Sequence, residues 1–292
     1  MANMRDIKNR IEGTQKTSQI TKAMHMVSAS KLKKAEKAIK AYRPLTEKLE
    51  AILSRIFNED PDLSHPMLEP RDISHSTFIL ITSDRGLAGP YNANVFKAFE
   101  AYLNEHSYDP DRISVAAIGN KAFSFAKQKG YRLVSDTPIQ VRDDFQFIDF
   151  QKLTDTFIKQ YLDGSTDEII TVYNRFINTL SQEVTVKPLV PLEFNPDVDT
   201  QKHESPNLIY DFEPDIATTL SVLLPNYVVH TLYGMVLEGK ASEHASRMTA
   251  MKNATDNAKE VIDTLTLSYN KARQDAITIE LTDIIGGANA VN

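Results

Sequence analysis

One helical repeat organises the first fifty-odd residues and constrains this chain more than any other feature. Residues 4–57 contain a single glycine, Gly13, and a single proline, Pro44. Through them runs a spacing of three and four: Met4, Ile7, Ile11, Thr14, Ser18, Thr21, His25, Ser28, Leu32, Ala35, Ile39, Tyr42, Thr46, Leu49, Leu53, Ile56. That is the heptad seam of a helix that pairs lengthwise with another. Its ends are apolar and its middle is small and polar. A second stripe, Ile20, Ala23, Met24 and Val27, lies beside the polar stretch. Such a helix runs roughly 80 Å at about 1.5 Å per residue. It cannot bury its stripe on itself, so the partner must lie elsewhere. Pro44 is expected to bend it, because it lacks an N–H and crowds the preceding turn.

The far end of the chain supplies a matching pattern. Met251, Thr255, Ala258, Ile262, Leu265, Tyr269, Ala272, Ala276 and Ile279 keep heptad spacing. Pro225 is expected to separate a short helix, about 214–224, from a long one, about 226–285. Gly286 and Gly287 are expected to end the long helix.

Between the ends the period changes. TFILITSD (77–84) and RISVAAIG (112–119) are short, nearly continuous apolar runs, as buried parallel strands are. DEIITVYNRF (167–176) and VTVKPLVPL (184–192) read as two further strands. Helical patterns follow Asn92, a candidate cap. They also span 121–129, stopped by Gly130, and 149–162, stopped by Gly164. Alternating strand and helix implies a small α/β sheet. Pro- and Asp-rich stretches flank it at 58–75 and 193–207. The expected fold class is therefore α/β. A long antiparallel coiled coil of N- and C-terminal helices carries a small Rossmann-like α/β domain inserted between them. The expected limits are 1–57 for the first shaft helix, 58–75 for a linker, 76–207 for the domain and 208–292 for the second shaft segment.

Of the chemistry-bearing motifs, none argues for catalysis. SDRGLAGPYN (83–92) joins a strand to a helix and carries two glycines, the context of a phosphate-cradling loop. Yet neither G-x-G-x-x-G nor G-x-x-x-x-G-K-[ST] occurs, and Pro90 removes an N–H that an anion nest needs. The ordinary turn roles of Gly, Pro and Asn account for it. GNK (119–121) reads as a plain turn. None of the seven histidines is paired at i, i+4, and H-E-x-x-H and G-x-S-x-G are absent. His25 falls on the helical seam, where a packed histidine is the plainer reading than a ligand. The carboxylates at Asp143–Asp144 and at Asp211, Glu213 and Asp215 read as solvated surface. The expectation is no catalytic residue, no metal site and no cofactor. With no cysteine, disulfides and thiolate chemistry are excluded. MANMRDIKNR lacks an apolar signal core, and no apolar run approaches the roughly 18–20 residues that span a bilayer.

Charge is uneven. Net charge is −6, but residues 1–57 hold 13 Lys+Arg against 5 Asp+Glu, leaving 20 against 34 in the remainder. A basic arm on an acidic body fits an acidic protein surface or nucleic acid. In KLKKAEKAIKAYR (31–43) the charges interleave with Leu32, Ala35, Ile39 and Tyr42, as on a helix with one face for a partner and one for water. Aromatic residues for base stacking are scarce there. On residues alone three readings stand: a mechanical shaft, a nucleotide-using α/β enzyme with helical arms, and a coiled-coil scaffold or nucleic-acid binder.

Four segments carry a resemblance that chooses among them: QITKAMHMVSASKLKKAE (19–36), SDRGLAGPYN (83–92), ASEHASRMTAMKNATDNA (241–258) and YNKARQDAITIELTDIIGGANA (269–290). In order, and over the whole chain, they resemble the gamma subunit of bacterial F-type ATP synthases. The family pattern G-L-C-G-[GS] appears here as Gly86–Leu87–Ala88–Gly89–Pro90. The resemblance implies a central-stalk rotor that binds no nucleotide. It transmits torque between a membrane c ring, driven by protons or another ion, and a ring of alpha and beta subunits, with epsilon beside it. It implies a peripheral place on the cytoplasmic face of a bacterial cell membrane and no nucleic-acid partner. By matched motif it implies beta-subunit contacts at Arg273, Gln274 and Thr278, in KARQDAIT, and at Met24, in TKAMHM. It implies c-ring contacts at Tyr210 and Glu213, in IYDFEP. The carboxylates and absent cations of ITIELTDIIGGANAV (277–291) suit a surface that slides rather than locks.

Overall fold

The computed structural model describes residues 4–60, 63–143, 145, 147–194, 212–213 and 215–291. In chain order the elements are α1 (Met4–Glu59), β1 (Ser76–Ile81), α2 (Tyr91–Glu105), β2 (Ile113–Ile118), α3 (Asn120–Lys129), β3 (Arg132–Leu133), α4 (Phe147–Leu162), β4 (Glu168–Phe176), β5 (Gln182–Val190) and α5 (Ile216–Val291). They form two compact units. One joins residues 1–29 to 247–292; the other spans 30–246. Both long helices contribute to each.

The larger unit is a five-stranded sheet in the order β3-β2-β1-β4-β5. Strands β1 to β4 pair in parallel, and β5 runs antiparallel at the edge. Every residue of β1 and β2 is buried, which is why both read as nearly continuous apolar runs. Alternation sends their side chains to opposite faces. Ile79, Ile81, Ala116, Ile118, Ile169 and Tyr173 enter one core with Leu53 and Ile56 of α1, Phe150, Phe157 and Tyr161 of α4, and Leu224, Val228, Leu232 and Val236 of α5. Phe78, Leu80, Val115, Ala117, Ile170 and Val172 enter the other with Val95, Phe99 and Leu103 of α2 and Ala122 and Ala126 of α3. The result is a three-layer sandwich in which the inner ends of the long helices form part of one layer.

Several expectations are corrected here. Pro225 does not divide the C-terminal helix, and Gly286 and Gly287 do not end it: α5 is continuous from Ile216 to Val291. Around Pro225, Leu224, Tyr227, Val228 and Leu232 are all buried in the core, and that packing outweighs one lost backbone bond. Glycine disfavours a helix interior by only about 1 kcal/mol against alanine. Pro44 likewise lies inside α1. α5 also contains an 18-residue stretch of mean hydropathy 1.4, apolar enough by composition to cross a membrane, contrary to the reading above; half of it is buried inside the protein. Leu220, Leu224, Val228, Val229, Leu232, Met235 and Val236 of this helix are core residues of the sheet unit, while Val222 is exposed. The two-residue β3 escaped the sequence reading altogether. Gly130 does stop α3, in left-handed conformation at φ 80°.

The smaller unit is the outer part of α1 paired with the outer part of α5. Thr21 and Thr255 meet across it at 2.7 Å, both buried. Within the larger unit Tyr42 of α1 meets His230 of α5. Also within that unit, Lys31 of α1 and His244 of α5 reach the same Asp143, so residue numbers fall on one helix as they rise on the other and the two run antiparallel there. The heptad positions of α1 named above, from Ile7 to Ile56, are buried or half-buried, and so are the heptad positions of α5 from Met251 to Ala276.

Candidate functional site on the paired helices

Pairing satisfies one stripe of each helix and leaves others bare. In the smaller unit the seam is filled by Ile7, Thr21, Ser28, Met251, Thr255 and Ala258. Thr255 also donates to the Met251 carbonyl at 2.8 Å, so its hydroxyl serves its own helix and its partner. Most of the second stripe stays uncovered: Ile20 is 60% exposed and Val27 55%, with Ala23 and Met26 exposed beside them, while Met24 is half-buried. On α5, Val261 and Leu267 are exposed as well.

The pair also ends unevenly. With Thr21 opposite Thr255, moving seventeen residues toward the N-terminus reaches Met4 and places it opposite about Ala272. Beyond that point α5 has little of α1 left to pack on. Ile279 keeps the heptad spacing but is 60% exposed, and Ile277, Leu281, Ile284 and Ile285 are exposed too. Exposed apolar residues in such a run mark a surface that another molecule covers.

The candidate contact residues fall on this surface. Arg273, Gln274 and Thr278 are all exposed on α5. Gln274 and Thr278, four apart, share a face, and the Thr278 hydroxyl donates to the Gln274 carbonyl at 2.9 Å. Ala272 and Ala276 turn inward instead. Thr278 therefore points away from the seam rather than filling it. Met24 is half-buried at the flank of the seam. It sits opposite about residue 252, some twenty residues from Arg273 along the pair, or about 30 Å. The structure thus groups the three α5 residues and sets Met24 apart. Glu213 is exposed and borders a shallow groove with Thr218, Thr219, Val222, Leu223 and Asn226. Tyr210 lies outside the described residues.

Two carboxylates read from sequence as solvated surface have structural partners. Asp215 caps α5: it accepts the Thr218 N–H at 2.8 Å and the Thr218 hydroxyl at 2.8 Å. Those bonds, the backbone one first, hold its carboxyl below the usual range. The spacing Asp-x-x-Thr ahead of an apolar run was the available signal. Asp143 accepts from His244 Nε2 at 3.2 Å and pairs with Lys31 Nζ at 2.6 Å. The His244 hydrogen bond first, then Lys31, holds its carboxyl well below the usual carboxylate range against the opposing effect of burial. No local pattern announces that contact, because its three members are far apart in sequence.

The glycine-bearing turn after β1 satisfies its own polar groups. Ser83 donates its N–H to Asn92 Oδ1 at 3.0 Å and its hydroxyl to the Arg85 carbonyl at 2.7 Å. Asn92 therefore ties the turn shut rather than capping α2, whose cap position is Pro90. Asp84 Oδ1 takes the Asn120 N–H at the start of α3. The Ser83 and Asn120 N–H groups are thereby engaged within the protein. Gly119 is fixed by packing: at φ 94°, a Cβ there would sit 2.4 Å from the Thr82 carbonyl oxygen. Among the described residues no group of three His, Asp or Glu side chains is placed to hold a metal ion. His75 bonds Ser114 and His65 accepts from Met67 N–H, both structural contacts.

A chain whose two ends pair as helices, with an inserted α/β domain and bare apolar stripes on the pair, defines a stalk-type subunit, a part that works by contact. A family model described as ATP synthase matches residues 3–291. The chain belongs to the ATP synthase gamma-subunit family, whose members are non-catalytic rotor subunits. Its fold is also found in solved structures. A Euglena gracilis mitochondrial ATP synthase in rotational state 3, with its OSCP, F1 and c-ring parts, contains a chain of 20% identity and TM-score 0.67, covering 99% of this chain and 94% of that one. The rotor of the same organism's enzyme in rotational state 1 has a chain of 18% identity and TM-score 0.62, covering 94% and 98%. The central stalk and c-ring of the Tetrahymena thermophila mitochondrial enzyme has one of 23% identity and TM-score 0.58, covering 80% and 99%.

Proposed function

We propose that this chain is the torque-bearing shaft of an F-type ATP synthase, set between an ion-driven c ring and a ring of alpha and beta subunits, with epsilon at its domain. The observation that carries the reading is the split character of the paired helices. One stripe is filled and buried, while Ile20, Val27 and the apolar residues from Ile277 to Ile285 are bare. A rod that turns inside a sleeve needs both: a seam to keep two helices together and an outer face that touches partners without locking to them. Differential contact with beta subunits in successive angular positions is the means by which a non-catalytic part shifts their nucleotide affinities. We read residues 1–57 and 208–292 as the shaft segments, paired as a coiled coil, and the cytoplasmic face of a bacterial cell membrane as the setting.

Arg273, Gln274 and Thr278 are assigned to a beta-subunit contact near the tip, and Met24 to a second beta contact lower on the shaft. Tyr210 and Glu213 are assigned to the c ring. The outward placement of Gln274 and Thr278 and the exposed groove at Glu213 support these roles. The test is a pull-down of the tagged full chain from membranes. Stoichiometric alpha and beta subunits are expected; their absence contradicts the reading. Within the complex, Arg273→Ala with Gln274→Ala is expected to lower ATP turnover or assembly. Wild-type levels of both would remove the tip assignment.

A further inference from the structure

The long helices meet the domain through apolar side chains, Leu53 and Ile56 on α1 and Leu224, Val228, Leu232 and Val236 on α5, and through a few neutral hydrogen bonds, among them Ser242 Oγ to the Asn174 carbonyl at 3.0 Å and the Tyr91 hydroxyl to the Gly239 carbonyl at 2.9 Å. Apolar burial is non-directional. It holds the helices on the sheet without fixing their rotation as strictly as a directional bond does. A carboxylate with two charge-assisted partners is directional, and one such group bridges this layer. Asp143 lies in the loop between β3 and α4. One of its oxygens reaches Lys31 Nζ on α1 at 2.6 Å, and the other receives His244 Nε2 of α5 at 3.2 Å. His244 is 4% exposed, and its Nδ1 has no hydrogen-bond partner among the described residues. The Asp143 bond is thus the polar anchorage of a buried ring. Beyond Lys31 and His244 the two helices run on, in sequence, into the smaller unit.

We propose that Asp143 is a positioning residue for torque transfer, a clasp that ties the domain loop to both shaft helices at once so that the domain turns with them. The proposal rests on the rotor reading above. The low-lying carboxyl of Asp143 keeps the clasp ionised throughout the neutral range. Its loss leaves turnover at the beta subunits intact, because no group of the clasp lies in the outer unit, and loosens the connection between shaft and domain.

The experiment uses the assembled complex of alpha and beta subunits with the full chain. A bead is attached through Glu105→Cys, a unique thiol in a cysteine-free chain, and its angular fluctuation is recorded during catalytic pauses. In Asp143→Ala the angular variance is expected to rise by roughly 1.5-fold, from the loss of one of a few directional ties, with ATP hydrolysis unchanged. Asp143→Glu is expected to recover part of the stiffness. Lys31→Gln, at a half-exposed position, is expected to give a smaller rise; if Asp143→Ala does not assemble, this variant decides. Wild-type variance in assembled Asp143→Ala, or in Lys31→Gln where that variant decides, overturns the clasp. Failure of the wild-type chain itself to assemble with alpha and beta subunits overturns the rotor reading instead, which is a separate outcome.

Discussion

The two units bury very different things. The sheet unit encloses Phe78, Phe99, Phe157, Tyr161, Ile79, Leu80 and Ile169, each under 2% exposed, in two cores on opposite sheet faces. The paired helix ends have one seam, and at its centre Thr21 meets Thr255, with Ser28, Ala258 and Met251 nearby. The first arrangement is stable because large apolar side chains leave water from every side. The second gains less per residue and keeps apolar stripes outside. The difference teaches that the domain is built to hold its own shape, and the rod to be completed by what surrounds it.

Removing a large side chain from the rich core has the largest expected effect. Phe157→Ala is expected to destabilise the sheet unit by about 3–5 kcal/mol, read as a lower urea midpoint for loss of tertiary signal. A cost below about 1 kcal/mol would mean that this core is not close-packed. Gly119→Ala comes next. It adds a Cβ against the Thr82 carbonyl at a backbone angle that favours glycine, and a loss of about 2 kcal/mol is expected from strain and displacement together.

The polar seam predicts a smaller and more diagnostic result. Thr21→Val is expected to cost about 1 kcal/mol, while Thr21→Val with Thr255→Val is expected to be nearly neutral, since replacing both partners leaves no stranded polar group. A double-mutant cycle on helix melting measures the coupling. Additive losses would show that the threonines do not act as a pair, and the contrast between the two units would soften.

The smallest effect concerns acid. The folded-state pKa of Asp143 is depressed. Its stabilising contribution is therefore present above the unfolded-state value of about 3.9 and is lost as pH falls through the lower folded value. Asp143→Asn is expected to flatten the fall in stability below about pH 4 by less than one proton. An unchanged acid slope in a pH series of urea midpoints would contradict the ionised clasp.

Much of this was legible in the sequence, and the reasons are physical. Helical spacing sets which residues share a face, so the seam could be read from Ile7 to Ala276 without knowing the partner. Strands buried on both faces announce themselves as nearly continuous apolar runs, as β1 and β2 do. Pro225 was misread because local rules assign it a break, and the surrounding core overrides them. β3 spans only Arg132–Leu133, too short for any period. Asn92 looks like a cap from composition, yet its carboxamide closes the preceding turn. The candidate contacts come from the family resemblance; spacing adds only that Gln274 and Thr278, four apart, share one face. The link from Lys31 through Asp143 to His244 depends on a chain path that only the folded structure supplies.

The claim most exposed to test is that the two chain ends travel as one rod. Spin labels at Ile11→Cys and Leu265→Cys, ten residues from Thr21 and Thr255 in opposite senses, report it by dipolar spectroscopy in the assembled complex. A single narrow distribution is expected, consistent with helix axes about 8–10 Å apart. A broad distribution, or one centred well beyond label reach of that spacing, would show that the ends are not paired there.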